Sequence, residues 1–591
     1  MLSAKARIRE HLEFLYGKEP ANRLWPDLER LLSGFRQRNP NLAQKVSRLG
    51  HADAILITYG DQFQEPARPP LGSLAEFAAT HLDEIFSGIH ILPFYPYSSD
   101  DGFSVIDYRA VDPALGSWDH IALLGKRFRL MFDAVINHIS RESDWFQGFI
   151  KGEAPYKDYF ISLDPSTDLS MVVRPRALPL LTLVETRDGE KHVWTTFSDD
   201  QIDLDYKNPA VLLEVVEVLL EYVERGAEII RLDAIAYLGK EPGTPSIHLP
   251  QTHRMVKLFR AILDAVALGV ILITETNVPH AENISYFGAP LPVEEQGEGP
   301  VRGDEAQLVY QFPLAPLVLH SFHSADARVL TYWAADLETP FPSATYFNFI
   351  ASHDGIGVRP AEGLLSPDQI QALVQRTLDH GGQVSYKTNL DGSRSVYELN
   401  ITLYDWLNNP QEPVIDVDVR RFIASQVILL SLTGVPGIYV HSLFGSRNCQ
   451  RCVQETGRAR SINREKFRKM ELERALADPQ YREARVFSAY RSWLLARRDH
   501  PAFHPHGKQR LLALHEQVFA LLRESPAGDE QIICLVNVSP DLQSVEVNAE
   551  QYQLVEGEVW RDLIGGDKFH AREGRLRLTI EAYQSLWLIR G

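Results

Sequence analysis

Asp233, Glu275 and Asp354 each end a short apolar run, in Ile-Ile-Arg-Leu-Asp, Ile-Leu-Ile-Thr-Glu and Ile-Ala-Ser-His-Asp. If those runs are parallel strands of one closed barrel, the three acids meet at its C-terminal rim, where barrel enzymes keep their chemistry. Two carboxylates on adjacent strand ends, about 5–5.5 Å apart, suit cleavage of a glycosidic bond with retention. One ionised acid attacks the sugar carbon and the other, protonated, releases the leaving oxygen. Asp233 is the better nucleophile because Arg231, two residues earlier on the same strand face, favours its charged form. Glu275 is then acid and base. Asp354 sits across the pocket against the sugar hydroxyls, with His353 beside it. Each fragment alone is more often a structural ion pair or a turn. The ordered set, joined by Asp133-Ala-Val-Ile-Asn-His138, is what points to chemistry, with His138 read as a sugar contact.

The elements that must position these acids are legible as eight apolar runs. They are Ala54 to Thr58, Ile89 to Phe94, Leu130 to Val135, Glu228 to Leu232, Val270 to Thr274, Leu308 to Phe312, Thr345 to Ile350 and Gly437 to Val440. Near-continuous apolar strands separated by helix-length segments indicate a parallel sheet covered on both faces. Eight of them predict an α/β fold, a (β/α)8 TIM barrel. The intervals after the third and seventh runs are long, and long insertions after barrel strands build pocket walls. The expected organisation is a helical N-terminal extension over 1–50, barrel over 51–138, and an inserted subdomain over 139–204. Barrel resumes over 205–354, a second inserted subdomain follows over 355–418, and the barrel ends over 419–510. A C-terminal antiparallel β domain spans 511–591, where alternating strands such as Gln531 to Val536 begin.

The chain has 591 residues, 45% hydrophobic, with a formal net charge of -18. Such acidity argues against a nucleic-acid partner, since phosphate backbones attract clustered Lys and Arg. The stretch Phe422 to Val440 is interrupted by polar residues, Gly and Pro, and reads as a buried helix turning into a strand rather than a membrane span. The first ten residues lack the apolar core of a secretory signal, so the expected location is the cytoplasm. Three cysteines, Cys449, Cys452 and Cys534, suit a reducing compartment. Cys449 and Cys452 read as two thiols, because zinc wants about four ligands and no second pair follows. No cofactor and no metal is expected, and no EF-hand-like acidic loop that would hold calcium is present. A homodimer is the default closed assembly.

The ordered segments Asp133 to His138, Arg231-Leu-Asp233, Glu275 and His353-Asp354 resemble those of the α-amylase superfamily of retaining α-glucoside enzymes. More narrowly, Leu92 to Phe103, Arg174-Pro-Arg176, Arg231 to Tyr237 followed by Lys240 to Thr244, and His353-Asp-Gly-Ile-Gly357 resemble the sucrose phosphorylase subfamily. Those enzymes move glucose reversibly between an acceptor and inorganic phosphate. The resemblance implies Asp233 as nucleophile, Glu275 as acid/base and Asp354 as transition-state stabiliser. It implies that Asp101, His138, Arg231, His353, Arg460, Phe197 and Gln201 surround the glucosyl ring, and that Arg176 and Tyr237 serve phosphate. A planar guanidinium suits a phosphate dianion.

Two departures from sucrose phosphorylase fall where the acceptor binds. Glu398 follows Tyr397 where that enzyme has an amide, and Arg359-Pro360 follows Gly357-Val358. Asp199-Asp-Gln201, Ile273 to His280 and Ser395 to Asn400 are more similar to the glucosylglycerate phosphorylase branch. An anionic acceptor then has Arg176, Arg359, Lys387 and Arg394 available. The implied partners are small molecules only: an α-glucoside, phosphate and glucose 1-phosphate. Sucrose, sucrose 6-phosphate and glucosylglycerol stand as alternative substrates, and hydrolysis as the alternative reaction.

Overall fold

Eight parallel strands form the frame: β1 (Ile55–Thr58), β2 (Gly88–Ile91), β3 (Arg129–Ala134), β4 (Ala227–Leu232), β5 (Ile271–Thr274), β6 (Leu308–Tyr310), β7 (Thr345–Asn348) and β8 (Val435–Tyr439). The computed structural model describes residues 2–176, 178–293, 301–389, 393–548 and 557–590. Each strand pairs with the next, and β8 pairs with β1 to close the barrel. Their residues are buried almost without exception, which is why they read as unbroken apolar runs and not as alternating ones.

The register around the predicted acids is direct. Arg231 of β4 lies opposite Asp133 of β3, and Leu232 lies opposite Thr274 of β5. Asp233 and Glu275 therefore leave two adjacent strands side by side. The helix behind β4, Pro209–Glu224, begins where the Asn208 side chain accepts from the Ala210 amide at 3.0 Å with proline at the first helical position. It buries Val211, Val215, Val216 and Leu219.

Two insertions rise from the rim. After β3 the chain forms a hairpin-like pair, His138–Ser140 with Gln201–Asp203, and a three-stranded sheet of Ser162–Leu163, Gly189–Trp194 and Leu181–Thr186. After β7 comes another three-stranded sheet, Ile356–Gly357, Arg394–Asn400 and Gln383–Thr388. Part of its expected tip, 390–392, lies outside the described residues. The N-terminal helices α1 (Leu2–Tyr16) and α2 (Lys18–Arg38) pack outside the barrel. Ile8 and Leu12 are buried, and Arg7 reaches Asp264 at 2.8 Å on the helix Pro250–Val266.

The run Phe422 to Val440 divides, as expected, between the helix Ile415–Ser431 and β8. Among the described residues no helix is long and apolar enough to cross a membrane. At the C-terminus six antiparallel strands beginning with Lys508–Leu511 pack with the pair Gln543–Asn548 and Arg575–Ile580. Both strands of that pair alternate buried and exposed positions, the mark of a sheet wetted on one face.

One expectation is overturned. Cys449 and Cys452 are joined in a disulfide rather than standing as two thiols. Cys449 is the cap of the helix Gln450–Thr456, and one helical turn brings Cys452 back to the same side. Cys534 is free and buried.

Candidate active site

Arg231 organises the rim. Its guanidinium contacts Asp133, stands 2.7 Å from Asp233 and 3.7 Å from Glu275. Glu275 also accepts from the Ala234 amide at 3.0 Å, so the backbone that follows Asp233 holds the second acid. Ala234 has the left-handed φ of 47° that makes this turn.

Charge is divided among the acids by burial and by cations. Burial first, and then the neighbouring Glu275 and Asp133 carboxylates, raise Asp233 to about 8 although Arg231 pulls the other way. Burial raises Glu275 as well, against the pull of Arg231. For one proton between the pair, the closer contact to Arg231 leaves the charge on Asp233 and the proton on Glu275. Asp354 differs. Burial opposes its ionisation, but Arg460 at 2.5 Å, His353 and Arg464 outweigh it and hold the carboxyl well below the usual range. With the proton so divided the site can support retaining chemistry, which takes an ionised nucleophile, a protonated acid and a fixed anion opposite.

The acids open into a cavity of about 820 Å³ that is continuous with solvent. His138, Arg231, His353, Arg460, Phe197 and Gln201 line it, as the sequence suggests. His138 Nε2 lies 2.8 Å from the Phe103 carbonyl and 3.1 Å from Gln201 Nε2, and burial lowers the pKa of its imidazole. His353 stacks on Phe103 at 4.9 Å with nearly parallel rings, and burial drops it to about 3, so it is neutral.

The structure places Asp101 off the wall. Asp100 and Asp101 both take left-handed φ, 54° and 51°, and the tight turn sends their side chains apart. Asp101 turns to Arg464 and Arg458, whereas Asp100 faces the cavity with Arg176 at 2.8 Å. Burial opposes ionisation of Asp100, but Arg176, Arg460 and Arg464 bring it down to about 2. The acid pair is plain in the sequence; which member points inward is decided by the turn.

On the acceptor side, Arg176, Tyr397 and Glu398 line the cavity. Tyr237 packs edge-on behind Phe197 at 5.5 Å and bonds Arg359, itself 3.9 Å from Glu282. Lys387 lies 3.5 Å from Glu362, and Arg394 is exposed at the start of its strand. These four stand behind or outside the wall.

Two groups escape the sequence reading. Asn277, two residues past Glu275, lines the cavity, and its buried Oδ1 has no hydrogen-bond partner in the protein. It approaches Gly357 so closely that a Cβ there would meet it at 2.8 Å. The other is Lys240, buried, with its ammonium 2.8 Å from Asn137 Oδ1, 2.8 Å from the Tyr237 carbonyl and 3.0 Å from Asp203. This oxygen cage ties the segment after Asp233 to the first insertion. In the sequence Lys240 stands out only within the stretch Lys240 to Thr244, with no role of its own.

Comparison with known proteins places the chain in a family. A family model of the α-amylase catalytic domain matches residues 81–335, and one of the maltogenic amylase C-terminal domain matches residues 509–587. Glucosylglycerate phosphorylase of Allomeiothermus silvanus is 49% identical, with 98% of each chain covered. The protein of the same description from Spirochaeta thermophila is 47% identical, again over 98% of each. Sucrose phosphorylases follow at 30% identity and below. Among solved structures, sucrose 6F-phosphate phosphorylase from Thermoanaerobacter thermosaccharolyticum shares the fold, with TM-score 0.70, 24% identity, and 84% of this chain and 95% of that one covered.

Proposed function

This chain belongs to the α-amylase family, on the branch of the glucosylglycerate phosphorylases, and we propose that it interconverts 2-O-α-glucosyl-D-glycerate plus phosphate with α-D-glucose 1-phosphate plus D-glycerate. What carries this reading is the near-full-length match to glucosylglycerate phosphorylases, at an identity well above that to the sucrose enzymes.

The chemistry follows from the charge states. Asp233 attacks the anomeric carbon while Glu275 passes its proton to the departing glycerate oxygen. A glucosyl ester on Asp233 results. Phosphate then enters the position glycerate has left and attacks the same carbon from the same face, regenerating Asp233 with net retention. Asp354, with Arg460 behind it, holds the sugar hydroxyls as positive charge develops on the ring. Both exchanging groups are anions, a carboxylate and a phosphate, so one set of cations serves both half-reactions. Arg176 on the wall, with Arg359 and Lys387 behind it, is that set. The reaction needs no cofactor. The reading assigns the enzyme to the cytoplasm, where free phosphate and sugar phosphates are exchanged.

The test is synthesis in reverse. Glucose 1-phosphate is offered with D-glycerate, glycerol, fructose or fructose 6-phosphate, and orthophosphate release is followed. Release with glycerate well above the other three is expected. Release with fructose or its phosphate and not with glycerate would overturn the acceptor, and glucose liberated from the glucoside equally fast without phosphate would overturn phosphorolysis.

A further inference from the structure

We propose that Cys449 and Cys452 are a reversible thiol–disulfide modification site, oxidised by a glutathione-type disulfide, whose state sets how firmly Arg460 is held over the sugar site. The second half rests on the function proposed above, and the first on the cytoplasmic location proposed with it.

The pair sits at a junction of the two segments that make the Arg460–Glu398 contact. On one side, the Cys449 amide donates to the Ile462 carbonyl at 2.8 Å, and Thr456 Oγ1 donates to Ser461 Oγ at 2.8 Å. These bonds fasten the helix Gln450–Thr456 to the 3-10 turn Ala459–Asn463, which carries Arg460. The same strap ends at Asn463 and Arg464, which bond the backbone carbonyls of Ser352, His353 and Asp354 at 2.7–3.1 Å. On the other side, Gln450 Nε2 donates to the Gly381 carbonyl at 2.6 Å, and Asn448 Nδ2 to the His380 carbonyl at 3.1 Å. Those carbonyls lead into the hairpin that supplies Glu398. A cross-link between Cys449 and Cys452 therefore locks the short helix on which both halves of the contact hang.

The chemistry is accessible. Cys452 is half-buried while Cys449 is buried, so Cys452 meets the oxidant. The Glu465 carboxylate lies within 4.8 Å of both sulfurs, and the two thiol protons pass to the two thiolates that the oxidant releases. The Cys452 thiolate attacks one sulfur of the oxidant, forming a mixed disulfide and expelling one thiolate. The Cys449 thiolate then attacks the Cys452 sulfur and expels the second. The protein loses two electrons and two protons, and the oxidant gains both electrons and leaves as two thiols. In a compartment that keeps thiols reduced, a protein disulfide is a switched one. A metal on the same groups is disfavoured, because two thiolates and one carboxylate fall short of the four ligands zinc takes.

The test equilibrates the full-length protein across ratios of reduced to oxidised glutathione. Intact mass, hydrogen exchange over 457–464 and glucosyl transfer from glucose 1-phosphate are read on each sample. Loss of two hydrogens and slowed exchange should share one midpoint, and reduction should lower kcat/KM about five-fold or more, reversibly. The double variant Cys449→Ser/Cys452→Ser should resemble the reduced enzyme at every ratio. Thiols that never pair, exchange and rates indifferent to the ratio, or stoichiometric zinc held by the reduced protein would each overturn the proposal. If transfer to glycerate fails while the mass and exchange transition persists, the fault lies with the activity and not with the site.

Discussion

Arg460 grips Glu398 through two parallel hydrogen bonds, Nε to Oε2 at 3.1 Å and Nη2 to Oε1 at 2.5 Å, with the carboxylate buried and the guanidinium partly exposed on the cavity wall. Burial raises the pKa of Glu398, Arg460 lowers it, and Asp354 adds a second push upward. The carboxylate is thus spent on the arginine and does not repel an anionic acceptor. Its value lies in aiming Arg460 at Asp354.

Replacing that acid by its amide removes a charge-assisted, forked contact and leaves a weaker one. A hydrogen bond to a charged group is worth about 1.5–3 kcal/mol. Glu398→Gln is therefore expected to lower kcat/KM by about 10- to 100-fold, in the ratio of tenfold per 1.36 kcal/mol. Steady-state kinetics against glycerate and glycerol should show the loss with both, because it arises at the glucosyl ring.

The separate roles proposed for Asp233 and Glu275 predict separate chemistries of failure. Asp233→Asn should abolish turnover from every donor, since no glucosyl ester can form. Glu275→Ala should lose turnover of the glucoside yet still be glucosylated by α-glucosyl fluoride, whose leaving group needs no proton. Mass spectrometry of the trapped ester distinguishes them. An ester on the Asp233→Asn protein would remove Asp233 from its role.

The raised pKa of Glu275 fixes the sign of the pH profile. Burial favours its protonated form, so the acid is competent below its folded pKa and lost as pH rises through it. Formation of the glucosyl ester from the natural glucoside should therefore fall on the alkaline side. The same step from α-glucosyl fluoride should lack that limb. Asp354, held well below the usual range, stays ionised through the whole window. Presteady-state rates at several pH values provide the check.

Much of this site was legible because parallel barrel strands are buried on both faces and announce themselves as apolar runs ending in acids. Ile-Ile-Arg-Leu-Asp233 and Ile-Leu-Ile-Thr-Glu275 are instances, and their register makes the acids neighbours. What the sequence hid depends on local backbone. Whether Asp100 or Asp101 faces the cavity is set by two consecutive left-handed residues, and no pattern of residue types encodes that. The Cys449–Cys452 bond arises from a cap that starts a seven-residue helix, too short to show a period. The Lys240 cage joins residues 37 and 103 positions apart, visible only once β3 and β4 are adjacent.

That cage gives the last prediction. Lys240 is buried with Asp203, and burial pulls its pKa below the ordinary lysine value while Asp203 pushes it back. Lys240→Met removes the cation but leaves the Asp203 carboxylate buried beside Asn137 and the Tyr237 carbonyl. Breaking such a pair from one side costs about 3–5 kcal/mol, because the remaining charge has no counterpart. Thermal unfolding should show a markedly lower Tm for Lys240→Met. The double variant Lys240→Met/Asp203→Asn should recover part of the loss, since the uncompensated charge is gone. Because the cage also anchors the carbonyl of Tyr237, four residues past Asp233, the double variant should regain stability more fully than activity. Equal recovery of both would mean that the cage supports the fold alone.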